Sequence, residues 1–497
     1  QLISDFAEDK NISEEFAKNY FYLSAATIYS TQNSNIQNQV EYEFNKKQYI
    51  LYPSDKENTS QAAMIIIDHQ TGNILACSGG LGEKQTFRGL NRATQSKRQT
   101  GSSIKPLAVL IPGIDKKIFT ASTIFEDEEK TFADGYKPGN SGGYLGQITV
   151  RRALESSQNI PFVEMMEKIN PKRAISYLKN MGITSLTKED ENLALALGGL
   201  KEGITPLEMA GAYATIANDG EYIEPTFYTS VVNYNGNMIL EVKQRTKRVF
   251  SEQVAYILKE LLKQPVEGTY GTATYCRISG IDVSAKTGTT DENYDKWLCG
   301  FTPYYTAVTW FGFDKNETIY YNNQNPAGII WANVMKKIHK ELPDMEFEQP
   351  KLILEENICY DTGMIVRTGC NNTYIEYFLL GTEPKECTKH SGDKNTSNNS
   401  NKNSNNSEVI IEENELELDP LDQKEDTIVE NVTENDVYEE EKNIEINTQT
   451  NRVIDEIENV LVNDVETNEI MINNNVLNNI ENSTFEEEII NDIEEGI

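Results

Sequence analysis

The amino-acid sequence predicts an α+β fold, in which an antiparallel β-sheet is flanked by helices and followed by a disordered acidic tail. Residues 61–80, QAAMIIIDHQTGNILACSGG, contain two β-rich runs joined by a turn at residues 69–73, which is typical of a hairpin. Helical patterns dominate residues 102–218, and strands return in IDVSAKTGTT and YTAVTWFGFD, which we expect to form a second hairpin. Strands at both ends of a segment with helices between them indicate an antiparallel sheet covered by helices.

The order of the predicted elements divides the chain into four parts. Residues 1–57 are predicted to be a linker or connecting module, with a helix in SEEFAKNYFYL, a short strand near Ile28 and then polar sequence. Residues 58–345 hold the sheet and its helices as the main domain, and residues 346–390 form a cysteine-containing extension of it. The fourth part is the tail, residues 391–497.

Helix boundaries are clearest in TPLEMAGAYATIANDG, within the helical middle of the main domain. Thr205 is a suitable N-cap, Pro206 fits the first helical position, and Gly220 lies just past the end. We therefore predict a helix that begins at Pro206.

The charge of the protein is concentrated in the tail. Residues 391–497 contain 30 Asp and Glu against 5 Lys and Arg, a net charge of −25 out of −33, which leaves about −8 for the rest. Neither part offers the basic patch that phosphate contacts need, so nucleic-acid binding is not expected. The Asn- and Glu-rich composition predicts disorder. One apolar stripe favours a short amphipathic helix, either transient or docked on a partner, at Val453, Ile454, Ile457, Val460 and Leu461.

No apolar run approaches the ~18–20 residues that a membrane-spanning helix needs. The sequence begins with Gln1 rather than Met, so we expect a fragment whose N-terminal membrane anchor is missing.

Six cysteines are few for this length, and two groups are expected. Cys77 and Cys299 lie in apolar runs and are predicted to be small core residues. Cys359, Cys370 and Cys387 cluster late in the chain, where a Cys359–Cys370 disulfide is the preferred interpretation in an oxidising compartment. Zinc is disfavoured and no metal site is predicted, because His390 is the only imidazole nearby and no Cys-x-x-Cys pair is present.

A Ser-x-x-Lys unit in RQTGSSIKPL raises the possibility of a serine nucleophile, Ser102, with Lys105 as its base. The chain has only three histidines, and none has a convincing aspartate partner, so a Ser-His-Asp triad is not expected. A lysine three residues after a serine on a helix faces the same way, but its pKa must fall by about three units to be neutral near pH 7. The spacing alone decides nothing, since it recurs at Ser176/Lys179, Ser185/Lys188 and Ser391/Lys394.

Two further segments supply what such a nucleophile would need. In SAKTGTT, Lys286 leads a strand whose Thr287, Gly288 and Thr289 could pair with an extended peptide and bind an anionic terminus. The backbone N–H groups of Ser102 and Thr289 could form an oxyanion hole. In ESSQNIPFV, a hydroxyl at Ser157, two residues before Asn159, could relay a proton.

Ser-x-x-Lys, Ser-x-Asn and Lys-Thr-Gly, in that order, are the three motifs of the penicillin-binding proteins and serine β-lactamases. The flanks FRGLNRATQSKRQTGSSIKPL, LALALGGLKEGITPLEMAGAYATIANDG and VSAKTGTTDENYDKWLCGFTPYYTAVTWFGFD resemble the transpeptidase domain of class A (bifunctional) penicillin-binding proteins. ATIYSTQNSNIQNQ resembles the linker of that family and FLLGTEPKECTKH its C-terminal end, so the resemblance covers about residues 20–390. It departs in RQTGS, where Thr100 replaces a proline, and in STQN of the linker. The glycosyltransferase domain of the family is expected upstream of Gln1, because truncation is the simplest account of a sequence that begins there.

The resemblance implies a serine D,D-transpeptidase that cross-links peptidoglycan stem peptides through an acyl-Ser102 intermediate and is acylated by β-lactams. It implies Lys105 as general base, Ser157 as proton relay and Lys286 as electrostatic partner. Asn159 would bind the substrate amide. Thr287, Gly288 and Thr289 would bind its backbone and carboxylate. No cofactor is implied, and the location would be the extracytoplasmic face of the bacterial membrane, with possible cell-wall synthesis partners.

Three alternatives share these residues. A β-lactamase would need a water-activating group, for which no separate motif is found, and its middle motif is commonly Ser-Asp-Asn rather than Ser-Gln-Asn. A D,D-carboxypeptidase would differ only in using water as acceptor. A non-catalytic sensor or scaffold would bind peptidoglycan or β-lactams and recruit partners through the tail, but the intact motifs argue against it.

Overall fold

The computed structural model describes residues 1–52, 58–84, 89–133, 135–322 and 324–390. The tail, with its predicted disorder and its apolar stripe at residues 453–461, lies outside these described residues. Within them, no helix has both the length and the apolar character needed to cross a bilayer.

The helices and strands alternate along the chain as the sequence suggests, with helices concentrated in the middle. The α-helices are α1 (Leu2–Lys10), α2 (Glu14–Leu23), α3 (Ser34–Phe44), α4 (Arg92–Gln95), α5 (Ile111–Asp115), α6 (Val150–Glu155), α7 (Ile160–Ile169), α8 (Pro171–Asn180), α9 (Pro206–Ala217), α10 (Glu252–Glu267) and α11 (Pro326–Ile338). The strands are β1 (Thr27–Ser30), β2 (Gln61–Asp68), β3 (Asn73–Ser78), β4 (Ile124–Asp127), β5 (Gly146–Thr149), β6 (Glu221–Ile223), β7 (Tyr228–Val232), β8 (Met238–Glu241), β9 (Thr246–Arg248), β10 (Ser284–Thr289), β11 (Asp295–Phe301), β12 (Thr306–Gly312), β13 (Ile353–Cys359) and β14 (Thr373–Leu379). Short 3₁₀ and π turns complete the set at Lys47–Tyr49, Gly101–Ile104, Pro106–Leu110, Lys188–Asp190, Leu193–Leu197, Thr274–Cys276 and Asp291–Asn293.

The central sheet has five antiparallel strands in the order β10-β11-β12-β2-β3. Its first strand in the chain, β2, is apolar and buried between its two polar ends because both faces of the sheet are covered. Ala63, Ile65 and Ile67 pack in one buried cluster with α9 and α10, whereas Met64 and Ile66 pack in the other with α3 and α11. A strand buried on both faces needs no polar alternation, and the predicted helix-covered antiparallel sheet is confirmed.

The first predicted hairpin is confirmed, and the second is wrong. The strands β2 and β3 pair around the turn at residues 69–73. The strands β10 and β12 do not pair with each other, because β11 lies between them and pairs with both. The segment DKWLCGF of β11 was missed as a separate strand because its polar start directly adjoins the polar turn DENY. Cys299 is buried within it, as predicted.

The N-terminal part contains more regular structure than its composition suggests. Helix α2 with its Ser13 cap and strand β1 near Ile28 match the prediction. The segment predicted to be merely polar contains α3, whose Ile36, Val40 and Phe44 recur every four residues and cover the sheet. Sequence reasoning missed this helix because polar residues occupy the rest of its surface.

The helix predicted from TPLEMAGAYATIANDG is α9, and it begins as expected. The side chain of Thr205 accepts a hydrogen bond from the backbone N–H of Glu208, and the Glu208 carboxylate accepts one from the Thr205 backbone, a capping box. The helix extends to Ala217, three residues before Gly220.

The cysteine-containing extension is a two-stranded antiparallel hairpin, β13–β14, with loops on both sides. Its Glu376 is fully buried and forms two 2.6 Å hydrogen bonds with the guanidinium of Arg151 on α6. All six cysteines are free, so the expected Cys359–Cys370 disulfide is wrong for this structure. Both sulfurs face the ring of His390 instead, at 3.4 Å from its Nδ1 atom.

Candidate active site

Ser102 lies half-buried in the 3₁₀ turn Gly101–Ile104, at the point where the chain enters the buried turn Pro106–Leu110. The turn depends on Gly101, whose φ of 53° lies in the left-handed region that favours glycine. A Cβ atom at this position would lie 2.3 Å from the carbonyl oxygen of Thr289, so only glycine lets the serine turn approach β10 this closely.

The segment before Ser102 is held by contacts from distant parts of the chain. The guanidinium of Arg98 donates to Asp295 at 2.6 Å, and the indole N–H of Trp297 donates to the backbone carbonyl of Gln99 at 2.8 Å. Behind the serine, the hydroxyl of Tyr213 on α9 donates to the carbonyl of Ser103 at 2.6 Å. These supporting residues lie in the stretches that carry the family resemblance, but sequence reasoning gave none of them this role.

Burial separates Lys105 from the other lysines in the Ser-x-x-Lys units. Lys105 is fully buried, whereas Lys179 and Lys188 are exposed, and the fourth copy lies outside the described residues. A lysine can act as a base near neutral pH only if its ammonium form is destabilised, and desolvation is the main means of doing so. The structure therefore selects Ser102/Lys105 on physical grounds that the spacing could not provide.

The Nζ atom of Lys105 is directed at the second motif. It donates to the backbone carbonyls of Ser157 and Gln158 at 2.9 and 2.8 Å, and to Oδ1 of Asn159 at 2.8 Å. These contacts bring the predicted base and the Ser-x-Asn motif together, although more than fifty residues separate them in the chain.

Ser157 lies between the two lysines of the site. The Nζ atom of Lys286, also fully buried, donates to the Ser157 hydroxyl at 2.7 Å and to the carbonyl of Thr287 at 3.1 Å. Ser157 has a φ of 60°, a conformation that costs a non-glycine residue about 1–3 kcal/mol and is concentrated at functional sites. With this backbone geometry, its carbonyl meets Lys105 while its hydroxyl meets Lys286.

Burial lowers the tendency of both lysines to hold a proton, and the charge of Lys286 adds to this effect on Lys105. Burial lowers the pKa of Lys286 to about 7. Burial, and then the nearby charge of Lys286, lower the pKa of Lys105 well below its usual value. The carbonyl acceptors around Lys105 favour its ammonium form, but full burial beside a second cation outweighs them. A neutral amine is thus available at this position at a pH where an exposed lysine would be charged.

Asn159 contacts the loop before β5 as well as Lys105. Its Nδ2 donates to the carbonyl of Gly139 at 2.6 Å, and its backbone N–H donates to the side chain of Asn140 at 2.7 Å. Asn140 is held in turn by the buried carboxylate of Asp127 at 2.7 Å. The loop before β5 was not assigned to the site from sequence, because nothing in its composition distinguishes it from a surface loop.

The strand β10, which carries Lys-Thr-Gly, is the edge strand of the sheet, and β11 is its only strand neighbour among the described residues. The hydroxyl of Thr287 is 2.9 Å from that of Thr272, and Nζ of Lys296 is 3.5 Å from the hydroxyl of the exposed Thr289. Thr272 and Lys296 add a hydroxyl and a cation to the predicted anion-binding group. Neither belongs to a motif.

Gly288 brings the edge strand against the serine turn. A Cβ atom at Gly288 would lie 2.3 Å from the carbonyl oxygen of Thr100, and one at Gly101 would meet Thr289. The backbones of Ser102 and Thr289, the predicted oxyanion-hole donors, are therefore on adjacent segments. Thr100 stands where the sequence analysis expected a proline. Its hydroxyl is buried and has no hydrogen-bond partner in the described part of the chain.

A buried Ser-x-x-Lys lysine, a Ser-x-Asn turn and an edge-strand Lys-Thr-Gly, on an antiparallel sheet covered by helices, define the class that unites serine β-lactamases and penicillin-binding proteins. Residues 62–336 match the family model described as "Penicillin binding protein transpeptidase domain". The chain belongs to this family, in its class A, 1A-type branch.

Similar proteins extend this result beyond the matched domain. The chain is 33% identical over 405 residues to "Penicillin-binding protein 1A" of Clostridium botulinum, covering 78% of this chain and 49% of that protein. The chain thus spans about half the length of the curated relatives it matches. The crystal structure of "Penicillin-Binding Protein 1A from Haemophilus influenzae" is similar in fold, with a TM-score of 0.64 at 20% identity over 77% of this chain and 76% of that one.

A second similar structure contains a ligand. The "PonA1 protein from Mycobacterium Tuberculosis in complex with penicillin V" has a TM-score of 0.57 and 25% identity, over 71% of this chain and 94% of that one.

Proposed function

We propose that this protein is a serine D,D-transpeptidase that cross-links the stem peptides of peptidoglycan and is covalently inhibited by β-lactams. The observation that carries the proposal is the convergence of two buried lysines, Lys105 and Lys286, on Ser157 beside the Ser102 turn. The family supports the same activity, and penicillin V is bound by the similar PonA1 protein.

Each motif residue has a role in the proposed reaction. The neutral amine of Lys105 takes the proton from Ser102, whose Oγ attacks the carbonyl carbon of the penultimate D-alanine. The backbone N–H groups of Ser102 and Thr289 stabilise the oxyanion. The bond to the terminal D-alanine then breaks, and its amine receives the proton from Lys105 through the hydroxyl of Ser157.

The second half of the reaction resolves the ester. The amine of a neighbouring stem peptide attacks the acyl-Ser102, loses a proton to the lysine base, and forms the cross-link while Ser102 is reprotonated. Lys286 orients Ser157 and lowers the pKa of Lys105. The hydroxyls of Thr287 and Thr289, with Gly288 allowing close approach, bind the terminal carboxylate and backbone, and Asn159 binds the substrate amide.

We also propose a domain organisation, a location and partners for the protein. Residues 1–57 would be a linker or connecting module, residues 58–345 would form the catalytic domain, and residues 346–390 would extend it. The substrate places the protein on the extracytoplasmic face of the bacterial membrane. Other cell-wall synthesis proteins are the expected partners, and the reaction needs no cofactor.

The lysine pair predicts a pH dependence for acylation by benzylpenicillin. The reactive neutral form of Lys105 is present above its depressed pKa and is lost as the pH falls through that pKa. We expect the second-order acylation rate constant to rise about tenfold per pH unit and then reach a plateau. In Lys286→Met, the pKa of Lys105 should increase because a nearby positive charge is gone, and the rise should move to higher pH.

The pH profile is measured from about pH 5 to 9 by quenched-flow labelling with a fluorescent penicillin. Lys97→Met is the matched control, because Lys97 is exposed and paired with Glu202 on the surface. Its profile should coincide with that of the unmodified protein. A Lys286→Met profile that stays in place would show that Lys286 does not set the pKa of the base.

The proposed function is tested by intact-protein mass spectrometry after incubation with benzylpenicillin, followed by turnover of a donor and an acceptor stem peptide. A stable adduct of one penicillin mass at Ser102, together with cross-linked dimer, is the expected result. Hydrolysed drug with only a transient adduct would indicate a β-lactamase. Release of D-alanine without cross-linking would indicate a carboxypeptidase, and neither adduct nor turnover would indicate a non-catalytic binder.

A further inference from the structure

The C-terminal extension brings together four side chains that the proposed reaction does not use. Cys359, Cys370, Cys387 and His390, here called the cysteine cluster, come from three segments: the end of β13, the turn before β14 and the last described stretch. Their ligand atoms all lie within 4.8 Å of one another. Three sulfurs and one imidazole nitrogen are a ligand set that zinc prefers in structural sites.

The distances in the cysteine cluster fit a single ion at its centre. The Nδ1 atom of His390 lies 3.4 Å from the sulfurs of Cys359 and Cys370, and 3.5 Å from that of Cys387. In a tetrahedral site with Zn–S near 2.3 Å and Zn–N near 2.0–2.1 Å, ligand sulfur and nitrogen atoms are about 3.6 Å apart. The three nearly equal separations match this edge length.

A disulfide explains the same arrangement less well. A bond between two of the three cysteines would pull one pair of sulfurs to about 2.05 Å and leave the third thiol and the imidazole without a role. All three thiols are free and surround the same nitrogen. The sequence-based objections to zinc were the single nearby histidine and the lack of a Cys-x-x-Cys pair. A Cys₃His site needs only one histidine, and the fold brings together cysteines that are distant in the chain.

Groups around the cysteine cluster orient its ligands. The Nε2 atom of His390 is 3.4 Å from a carboxylate oxygen of Asp361. A carboxylate there holds the proton on Nε2, which leaves the lone pair of Nδ1 free for a metal. The hydroxyl of Thr362 donates to the Cys387 sulfur at 3.4 Å.

The backbone of the extension also fits this close assembly. Gly369 precedes Cys370 with a φ of 108°, and a Cβ atom there would lie 2.3 Å from the carbonyl oxygen of His390. Cys359 and Cys387 are both tied to the same short segment, through 2.8 Å backbone hydrogen bonds to Met364 and Ile365. The cluster is thus held by backbone as well as by side chains.

We propose that the cysteine cluster is a structural zinc site that joins the three segments of the C-terminal extension. Four protein ligands fill a tetrahedral shell and leave no position for substrate, so the site is structural rather than catalytic. On binding, the three thiols lose their protons to solvent and coordinate as thiolates. The extension buries few apolar side chains of its own, Ile358 and Phe378 among them, and a metal can replace part of the missing core.

The proposal is tested on the full chain, purified without chelator under mild reducing conditions. Metal analysis by mass spectrometry is expected to give one zinc per chain, and replacement by Co²⁺ should give the visible spectrum of a tetrahedral thiolate site. Cys387→Ser should lose both signals. Cys77→Ser, which changes a cysteine outside the cluster, is the matched control and should retain both.

A milder variant covers the case in which loss of a ligand prevents folding. Asp361→Asn keeps all four ligands, and it should weaken zinc binding by about 10- to 100-fold in a chelator competition. Substoichiometric zinc together with a mapped disulfide between any two of the cluster cysteines would overturn the proposal. So would free thiols in a protein that takes up neither zinc nor Co²⁺.

Discussion

Replacement of Ser102 by alanine is expected to reduce acylation by benzylpenicillin by about 10⁴-fold or more. The change removes the only oxygen that can form the proposed ester, while the turn around it is kept. Gly101 still fits against Thr289, and the contacts of Arg98 and Tyr213 do not involve the Ser102 hydroxyl. The measurement is the rate of labelling by a fluorescent penicillin, with intact mass as a second readout.

The matched control is Ser176→Ala. Ser176 has the same spacing to a lysine, Lys179, but both side chains lie on the exposed face of α8. The control should be labelled at the rate of the unmodified protein, and its thermal unfolding should resemble that of Ser102→Ala. Persistent labelling of Ser102→Ala at another serine would show that the nucleophile had been assigned wrongly.

Replacement of Arg151 by alanine is expected to lower the free energy of unfolding by about 3–5 kcal/mol. Arg151 and Glu376 form a bidentate pair of 2.6 Å hydrogen bonds, and the carboxylate is fully buried. Without the guanidinium, the buried carboxylate would keep the backbone N–H of Tyr377 as a donor but would have no opposite charge beside it, which is why the cost exceeds that of an ordinary hydrogen bond. The quantity is measured by urea denaturation followed by tryptophan fluorescence.

Two further variants separate the charge effect from general damage. The double change Arg151→Met and Glu376→Met leaves no unpaired buried charge, so it should recover most of the lost stability. Arg245→Ala breaks an ion pair with Glu8 in which both side chains are about three-quarters exposed, and it should cost less than about 1 kcal/mol. Equal losses in Arg151→Ala and Arg245→Ala would contradict the prediction.

The ion pair between Arg151 and Glu376 also connects two parts of the chain that sequence reasoning treated separately. Glu376 lies on β14 of the cysteine-containing extension, and Arg151 lies on α6, whose last residue, Glu155, is two residues before Ser157. The extension is therefore held against the helix that leads into the second motif. We therefore expect a stable extension to support the geometry of Ser157.

The reactive residues could be predicted from the sequence because each lies in a short motif. Ser102, Ser157 and Lys286 follow one another with recognisable flanks, and the helix cap at Thr205 and the hairpin of β2 and β3 depend on neighbouring residues alone. Local signals of this kind can be recognised from the sequence alone, because the residues that interact are only a few positions apart.

Other features depended on residues that are remote in the chain. The sequence contains four equivalent Ser-x-x-Lys units, and only packing around Lys105 distinguishes the buried amine from the exposed Lys179. The polar composition of residues 31–57 concealed α3, because its role depends on the sheet face that it covers.

The sequence by itself determined the fold class, the family and the three motifs of the candidate site. Only the tertiary structure decided which lysine is desolvated, how Ser157 is placed between Lys105 and Lys286, and that three cysteines surround His390. The physical reason is that motifs and periodicity depend only on residues that are near one another in the chain. Burial, like-charge proximity and metal-ligand geometry arise only when distant segments meet and exclude water from one another.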